Sequence, residues 1–197
     1  MREITPTRTA AMELKEERRA MREGYEFLDE KRLLLAAEML RELKRYEQDR
    51  AALLEALARA ASALQAACAR HGLQGVQVYP AARLENARLQ VIPRRLLGMR
   101  LQEARLEADA ASASPALHPS PEAEHCRGAF LEVARRSAGL AAIAGNLERL
   151  RREYRRTERR ARALEDVLMP EIEQALYEIE SRLEEMEQEE AVRLRRG

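Results

Sequence analysis

Apolar residues recur seven positions apart in the last third of the sequence, and this repeat constrains the fold more than any other feature. The series with this spacing is Leu140, Leu147, Tyr154, Ala161 and Leu168, and a companion series that includes Leu150, Thr157, Leu164 and Ile172 fills positions between them. Such spacing places the apolar residues on one face of a long helix. The other faces are almost entirely charged, so we expect this helix to pack against one partner helix and not inside a globular core.

The N-terminal part of the chain supplies a matching stripe that begins at Leu14. Its spacing shifts at Met39, and it then continues as Leu53, Leu57, Ala60 and Leu64. Thr5 is the predicted N-cap, Pro6 the first helical residue and Gly72 the C-cap. The predicted seam of the two-helix coiled coil consists of Leu14, Met21, Leu28, Leu35, Leu147, Tyr154, Leu168, Ile172 and Ile179.

The C-terminal helix is predicted to start with Ser120 as its cap and Pro121 at the first position. Pro170 removes a backbone hydrogen bond and is predicted to bend it. The seam shifts at the same place, so an antiparallel arrangement would put Met39 level with Leu168. A register that pairs Thr7 with Gln188 is the second possibility.

The region between the helices has a different pattern of apolar and polar residues. Val76 and Val78 alternate with polar neighbours and Leu89–Ile92 is a second strand candidate, with Pro80 and Pro93 ending the two runs. Residues 96–108 fit either a strand or a short helix, and 111–120 have the composition of a surface loop. We therefore predict an all-α dominated fold: a long, bent, antiparallel two-helix coiled coil with a small central knob that can hold a short β-hairpin. Its segments are an N-terminal coiled-coil helix (1–70), a central knob and loop (71–120) and a C-terminal coiled-coil helix (121–197).

Composition and motifs argue against an enzyme. Charged residues make up 35% of the chain and aromatic residues 4%, the formal net charge is +1, and no run approaches the length of a membrane span. No phosphate-binding loop, nucleophile elbow or zinc signature occurs. We expect no catalytic residue, no cofactor, no metal site, no nucleic-acid partner and a reducing, cytoplasmic location. The antiparallel register would bring Cys68 and Cys126 to a similar height, as two reduced thiols or as a bridge if their Cβ atoms approach within about 4.5 Å.

Charge is strongly segregated along the C-terminal helix. Residues 149–162 contain eight arginines and two glutamates, whereas residues 163–190 contain eleven carboxylates and one arginine. One interpretation is a solvated helix surface with pairs four residues apart. The other is a helix whose successive bands of charge face different partner surfaces.

Short motifs at both ends of the chain resemble a known family. Pro6-Thr7-Arg8 stands near the start, and the last helix carries Arg159-Arg160, Ala163-Leu164-Glu165, Met169-Pro170 and a glutamate-rich run that ends in Arg193-Leu194-Arg195-Arg196. This pattern resembles the D subunits of the V-type (archaeal and vacuolar) rotary ATPases and ATP synthases. In the middle, only Glu85-Asn86 and Val91-Ile92-Pro93 are similar. Arg162 and Ala191-Val192 depart from the family pattern.

The resemblance implies a non-catalytic central stalk, or rotor axle, that transmits torque between a catalytic ring and a membrane rotor. Its implied partners are the A and B subunits of the ring, the small F subunit of the stalk and a membrane-rotor adaptor, and it would be peripheral to the membrane. The ring-contact candidates are Pro6, Thr7, Arg8, Arg193, Leu194, Arg195 and Arg196. The stalk-partner candidates are Val76, Val78, Tyr79, Val91 and Ile92. A static coiled-coil scaffold or export-apparatus stalk is the alternative, and a membrane-surface helix is a third and weaker one.

Overall fold

The computed structural model describes residues 5–82, 84, 87–108 and 115–196, with the side chain of residue 196 excepted. Its elements are α1 (Arg8–Val78), β1 (Arg88–Leu96), β2 (Met99–Glu107), α2 (Pro121–Ala163), a π-helical turn (Leu164–Leu168) and α3 (Met169–Arg196). Two long helical segments thus flank a two-stranded antiparallel sheet, which confirms the predicted fold class. Glu85, Asn86 and the loop residues 111–114 lie outside the described residues.

Both ends of α1 differ from the sequence prediction. The Thr7 hydroxyl accepts a hydrogen bond from the backbone N–H of Ala10 at 3.1 Å, so Thr7, and not Thr5, caps the helix. Gly72 has a φ of 69°, a left-handed conformation that interrupts the helical geometry at the predicted C-cap. The chain resumes helical structure after this kink and ends at Val78. The predicted strand at Val76 and Val78 is therefore wrong.

A π-helical turn lies directly before Pro170, where the sequence predicts a bend. The backbone N–H of Met169 bonds to the carbonyl of Leu164, five residues earlier. A π turn accommodates one extra residue in the helix, which matches the shifted apolar spacing at this point.

The chain divides into two compact units. The terminal unit comprises Met1–Ala36 and Arg152–Gly197, and the middle unit comprises Ala37–Arg151. In the terminal unit, Ala11 and Leu14 of α1 form a buried core with three residues of α3, Ile172, Leu176 and Ile179. Bulky aliphatic side chains thus form much of the contact between α1 and α3 in the terminal unit.

Ion pairs define the antiparallel register of the terminal unit. Arg8 pairs with Glu187 at 2.5 Å and Lys15 with Glu180 at 2.7 Å. A Cβ placed on Gly24 would lie 3.9 Å from the Leu164 side chain, so the π-helical turn is beside Gly24. The predicted pairing of Met39 with Leu168 is therefore wrong, whereas the register that pairs Thr7 with Gln188 agrees with the Arg8–Glu187 contact.

In the middle unit, α1 turns alanines inward. The buried positions on this stretch are Ala56, Ala60, Ala63 and Ala67. Ala63 and Ala67 pack against Cys126 of α2. Leu57 and Leu64, which the sequence analysis placed with Ala60 in the apolar stripe that faces the partner helix, are exposed. That assignment is wrong, because alanine and not leucine occupies the contact face here.

The β-hairpin packs along the helices of the middle unit. β1 and β2 pair from Arg88 opposite Glu107 to Leu96 opposite Met99. Leu97 and Gly98 form a two-residue turn with φ values of 48° and 82°, the sign required for a type I′ hairpin. Leu101 is fully buried. Residues 99–107, for which the sequence left strand and short helix open, form strand β2. β1 continues through Pro93, so the prediction that it ends there is wrong.

One stretch of α1 is rich in apolar residues. α1 contains a window of 18 residues with a mean hydropathy of 1.2, enough to cross a membrane by length and composition alone. Only 22% of that window is buried. The criterion is a mean that tolerates up to two charged residues, and α1 contains no continuous run of 18 apolar residues. A single such helix is weak evidence for a membrane span, but it identifies apolar surface that the described residues leave largely uncovered.

Candidate interaction surfaces

The first turn of α1 and the last turns of α3 meet on one surface of the terminal unit. A shallow depression there is lined by Arg8, Leu183, Met186, Glu187, Glu189, Glu190 and Arg193. Arg193 also lies 3.9 Å from Glu189. These charged side chains are mostly exposed, so their ion pairs contribute little stability and can exchange partners.

The structure brings some of the ring-contact candidates together. Arg8 and Arg193 line the same depression. Thr7, Leu194 and Arg195 are exposed, and Pro6 is half-buried. The side chain of Arg196 lies outside the described residues.

Two ionisable groups report on the helix contact in the terminal unit. The hydrogen bond from Lys15 lowers the pKa of Glu180, and the Lys15 charge adds to this effect. Burial raises the pKa of Tyr25, and the nearby Glu165 of the π-helical turn raises it further. Both groups contact side chains on the opposite helical segment, as an antiparallel pair requires.

The predicted seam residues fall into three groups. Leu14, Leu35, Ile172 and Ile179 are buried, Met21, Leu28, Leu147 and Tyr154 are half-buried, and Leu168 is exposed. Buried positions that the assigned seam omitted include Leu150, Thr157 and Leu176. Leu150 and Thr157 belong to the second apolar series in the sequence, so choosing that series would have found them.

A buried carboxylate pair fastens the hairpin to α1. Arg94 of β1 donates hydrogen bonds to Glu38 at 2.5 Å and to Glu42 at 3.1 Å. Glu38 and Glu42 are only 3% and 1% exposed. The bond to Glu38 raises the pKa of Arg94. Buried carboxylates need such partners, because an unpaired charge inside a protein is strongly destabilising.

Asn146 of α2 holds the other strand. Its amide oxygen accepts the backbone N–H of Gln102, and its NH₂ group donates to the Gln102 carbonyl, both at 2.8 Å. Gln102 stands opposite Pro93. Hydrogen-bonded and non-hydrogen-bonded pairs alternate along an antiparallel ladder, and counted from Leu96–Met99 at the turn this pair is non-hydrogen-bonded, so the backbone groups of Gln102 point away from β1 and bond to α2. At such a position the ladder needs no N–H from Pro93, which explains how a proline is accommodated inside β1.

β1 presents an apolar surface. Leu89, Val91 and Ile92 are all exposed, and within the described residues β1 pairs with β2 alone. Val91 and Ile92 are stalk-partner candidates, and so is Val78, which is also exposed. The other two candidates are engaged within the chain: Val76 packs against the alanine cluster, and the Tyr79 ring lies 4.9 Å from that of His71.

A polar cluster joins the helices where α2 begins. Ser120 caps α2 through the N–H of Ala123 at 3.3 Å, and its hydroxyl lies 2.7 Å from His71 Nε2. Arg70 pairs with Glu122. The backbone N–H at the start of α2 lowers the pKa of Glu122, and the bonds from Arg70 and Ser120 lower it further.

The two cysteines lie near this cluster. Both are free thiols, with Cys126 buried and Cys68 half-buried. Burial raises the pKa of Cys126, and the neighbouring Cys68 adds to the shift. This proximity is consistent with the similar height predicted for the two residues, and a bridge between them stays a prediction. Among the described residues, no group of three or more side chains is arranged to hold a metal ion.

Comparisons with known proteins agree along almost the whole chain. The family described as the D subunit of ATP synthase matches residues 10–196. The V-type ATP synthase D subunit of Anaeromyxobacter dehalogenans is 33% identical over 208 aligned residues, which cover 100% of this chain and 96% of the relative. The A-type ATP synthase D subunit of Methanopyrus kandleri is 30% identical, covering 100% of this chain and 86% of the relative. The V-type ATP synthase D subunit of Thermotoga neapolitana is 26% identical, with coverage of 98% and 96%.

Proposed function

Since the chain belongs to the family of ATP synthase D subunits and is thus a component of a V/A-type rotary ATP synthase complex, we propose that it forms the rotor axle of that complex. In this role it transmits torque between the catalytic ring and the membrane rotor, and so couples ATP hydrolysis or synthesis to ion translocation. It binds no nucleotide itself and contributes no catalytic residue.

The observation that carries this proposal is the antiparallel pairing of the two chain ends in the terminal unit. Arg8 meets Glu187, and Lys15 meets Glu180, over a core of leucine and isoleucine. Two helices held together by ion pairs and apolar packing resist torsion better than a single helix would. We call the paired helix ends around Arg8 and Glu187 the tip. The tip is suited to insertion into a ring of subunits that must be driven through successive conformations.

The charges at this tip suit a surface that rotates past its partners. Arg8 and Glu187 are 81% and 58% exposed, so they can exchange a mutual contact for contacts with ring loops at little cost. We propose that Pro6, Thr7, Arg8, Arg193, Leu194, Arg195 and Arg196 face the A and B subunits of the ring. Weak and reversible contacts of this kind can break at each step of rotation.

The hairpin is the proposed contact for the stalk partners, which are the small F subunit and the membrane-rotor adaptor. Arg94 and Asn146 hold it against the helices, while Val91 and Ile92 remain exposed on β1. An exposed apolar strand is suited to bind a protein partner by strand addition or side-chain packing. The complex would lie at the cytoplasmic face of the membrane.

Reconstitution tests the axle proposal directly. The complete chain is combined with the ring subunits and stalk partner, and rotation of a bead attached to the hairpin is recorded during ATP hydrolysis. We expect sustained rotation. A static scaffold, the alternative function, would bind without rotating.

A matched pair of variants tests the tip. Leu194 at the tip is 80% exposed and Leu117 in the loop before α2 is 97% exposed, so neither change should affect folding. Leu194→Glu should reduce the coupling of hydrolysis to rotation, whereas Leu117→Glu should leave it unchanged. Equal effects, or none, would contradict the assignment of the tip to the ring.

A further inference from the structure

α1 carries a second apolar stripe within the middle unit, on a face other than the one that meets α2. Its members are Leu40, Leu43, Glu47, Arg50, Leu54 and Leu57, and all six are exposed. The four leucines are 69%, 43%, 53% and 41% exposed in chain order. We call this set the outer stripe. Its spacing of three and four residues alternately is that of a coiled-coil seam.

The residues buried on the inner face of α1 explain why the outer stripe is free. Glu38 and Glu42 occupy that face beside Leu40 and Leu43, and Ala56 and Ala60 occupy it beside Leu54 and Leu57, so the leucines are not needed for packing within the chain. Exposed leucines in a regular seam indicate a surface that another helix can cover.

The outer stripe is chemically symmetric about its centre, between Glu47 and Arg50. Read in either direction, it presents two leucines, one charged residue, a second charged residue of opposite sign and two leucines. An antiparallel second copy would place Leu40 against Leu57, Leu43 against Leu54, and Glu47 against Arg50. Each of these contacts occurs twice, which is the requirement of a two-fold symmetric interface.

The two central charges of the outer stripe favour an antiparallel second copy over a parallel copy or a membrane. Neither Glu47 nor Arg50 has an ion pair within the part of the chain that the structure describes. In the antiparallel arrangement each of them meets an opposite charge. A parallel pair would oppose like charges, and a bilayer would leave both charges in hydrocarbon.

We propose that the unassembled chain forms a symmetric antiparallel dimer through the outer stripe of α1. The stripe extends for about 27 Å at 1.5 Å per residue, which makes a small interface and a reversible dimer. The dimer covers apolar surface before assembly and must open if a complex partner uses the same face. Such a dimer goes beyond the proposed axle function and does not depend on it.

Charge reversal provides the sharpest test, with sedimentation velocity of the complete chain over a concentration series as the measurement. Glu47→Arg makes both central positions positive and Arg50→Glu makes both negative, so each alone should weaken the dimer on the order of tenfold. An equimolar mixture of the two variants should restore association, and so should the double variant Glu47→Arg/Arg50→Glu. The surface substitutions leave the buried face of α1 intact, so helix content by circular dichroism should not change.

Cross-linking tests the direction. In a background with Cys68→Ala and Cys126→Ala, one chain carries Leu40→Cys and another Leu57→Cys, and a short thiol-reactive cross-linker is added. The antiparallel dimer predicts a covalent dimer in the mixture but not with either chain alone, because identical positions lie roughly 25 Å apart. Cross-linking of either chain with itself would overturn the antiparallel arrangement.

Three outcomes would overturn the proposal. The first is a monomer at every concentration, and the second is association that neither single reversal weakens. The third is a monomeric chain that floats with phospholipid vesicles and loses this property in Leu54→Ser, which would assign the stripe to a membrane surface.

Discussion

The two units of the molecule bury opposite kinds of residue along the same helix. In the terminal unit α1 places Leu14 against Ile172, Leu176 and Ile179. In the middle unit it places alanines such as Ala60 inward and leaves leucines such as Leu57 outside. Small side chains let helix backbones approach closely, and the larger side chains then become available to other partners.

The difference should also appear in how each unit is stabilised. A buried leucine or isoleucine contributes about 1.5–3 kcal/mol, whereas an alanine buries a single methyl group and contributes less. The middle unit compensates with specific polar contacts from Arg94, Asn146 and Ser120. We therefore expect it to be more sensitive to changes of shape and hydrogen bonding than to the loss of any one apolar group.

The largest effect is expected from a charge placed in the terminal core. Leu176→Asp should lower the free energy of unfolding by about 3–5 kcal/mol, because it buries an unpaired carboxylate. Tyr177→Asp is the matched control, since Tyr177 is the next residue and is exposed. Chemical denaturation measures both, and similar losses would show that the leucine and isoleucine core is not the stabilising feature of this unit.

Overpacking the alanine face should come next. Ala60→Leu should cost about 1–3 kcal/mol, because the helices cannot separate locally without losing neighbouring contacts. Ala58→Leu, on the exposed side of the same turn, should be nearly neutral. If Ala60→Leu raised the melting temperature, the alanine face would be loosely packed, and the contrast between close packing in the middle unit and bulky aliphatic packing in the terminal unit would be wrong.

Removal of the amide that holds β2 should have a similar or slightly smaller effect. Asn146→Ala leaves the Gln102 backbone N–H and carbonyl without their partner, which should cost about 1–3 kcal/mol. Hydrogen exchange at Gln102 should accelerate in this variant. Arg149→Ala removes a bond to the Gln102 side chain at 3.0 Å and one to the Asn146 amide oxygen at 3.1 Å, but it leaves both bonds between Asn146 and the Gln102 backbone in place, so it should accelerate that exchange much less.

The smallest effect concerns pH. The pKa of Glu122 in the folded chain lies below its ordinary value of 4.5, so its ionised form stabilises the fold above that value. This stabilisation should disappear as the pH falls from about 4.5 through the lowered pKa of the folded state. Glu122→Gln should flatten the dependence of melting temperature on pH in this window. An unchanged slope would show that the pair with Arg70 contributes nothing to stability.

The sequence was sufficient for the larger features where one residue type marks one structural role. Pro121 after Ser120 identified the start of α2, and the shifted spacing around Leu168 identified the irregular turn before Pro170. It failed between Ala51 and Ala67, where most positions are alanine or leucine and periodicity does not separate the buried face from the exposed one. It also ended β1 at Pro93, because the register that puts Pro93 at a position where no N–H is needed is set by the pairing with β2 and not by the residues around the proline.

The sequence by itself determined that this protein consists of two long helical segments with a small insertion, because heptad spacing and end caps are local properties. It also carried the family motifs at the two ends. Only the tertiary structure decided the register, the inward face of α1 and the position of the hairpin beside the helices. Those depend on pairs such as Arg8 with Glu187 and Arg94 with Glu38, whose energies arise only when distant segments meet.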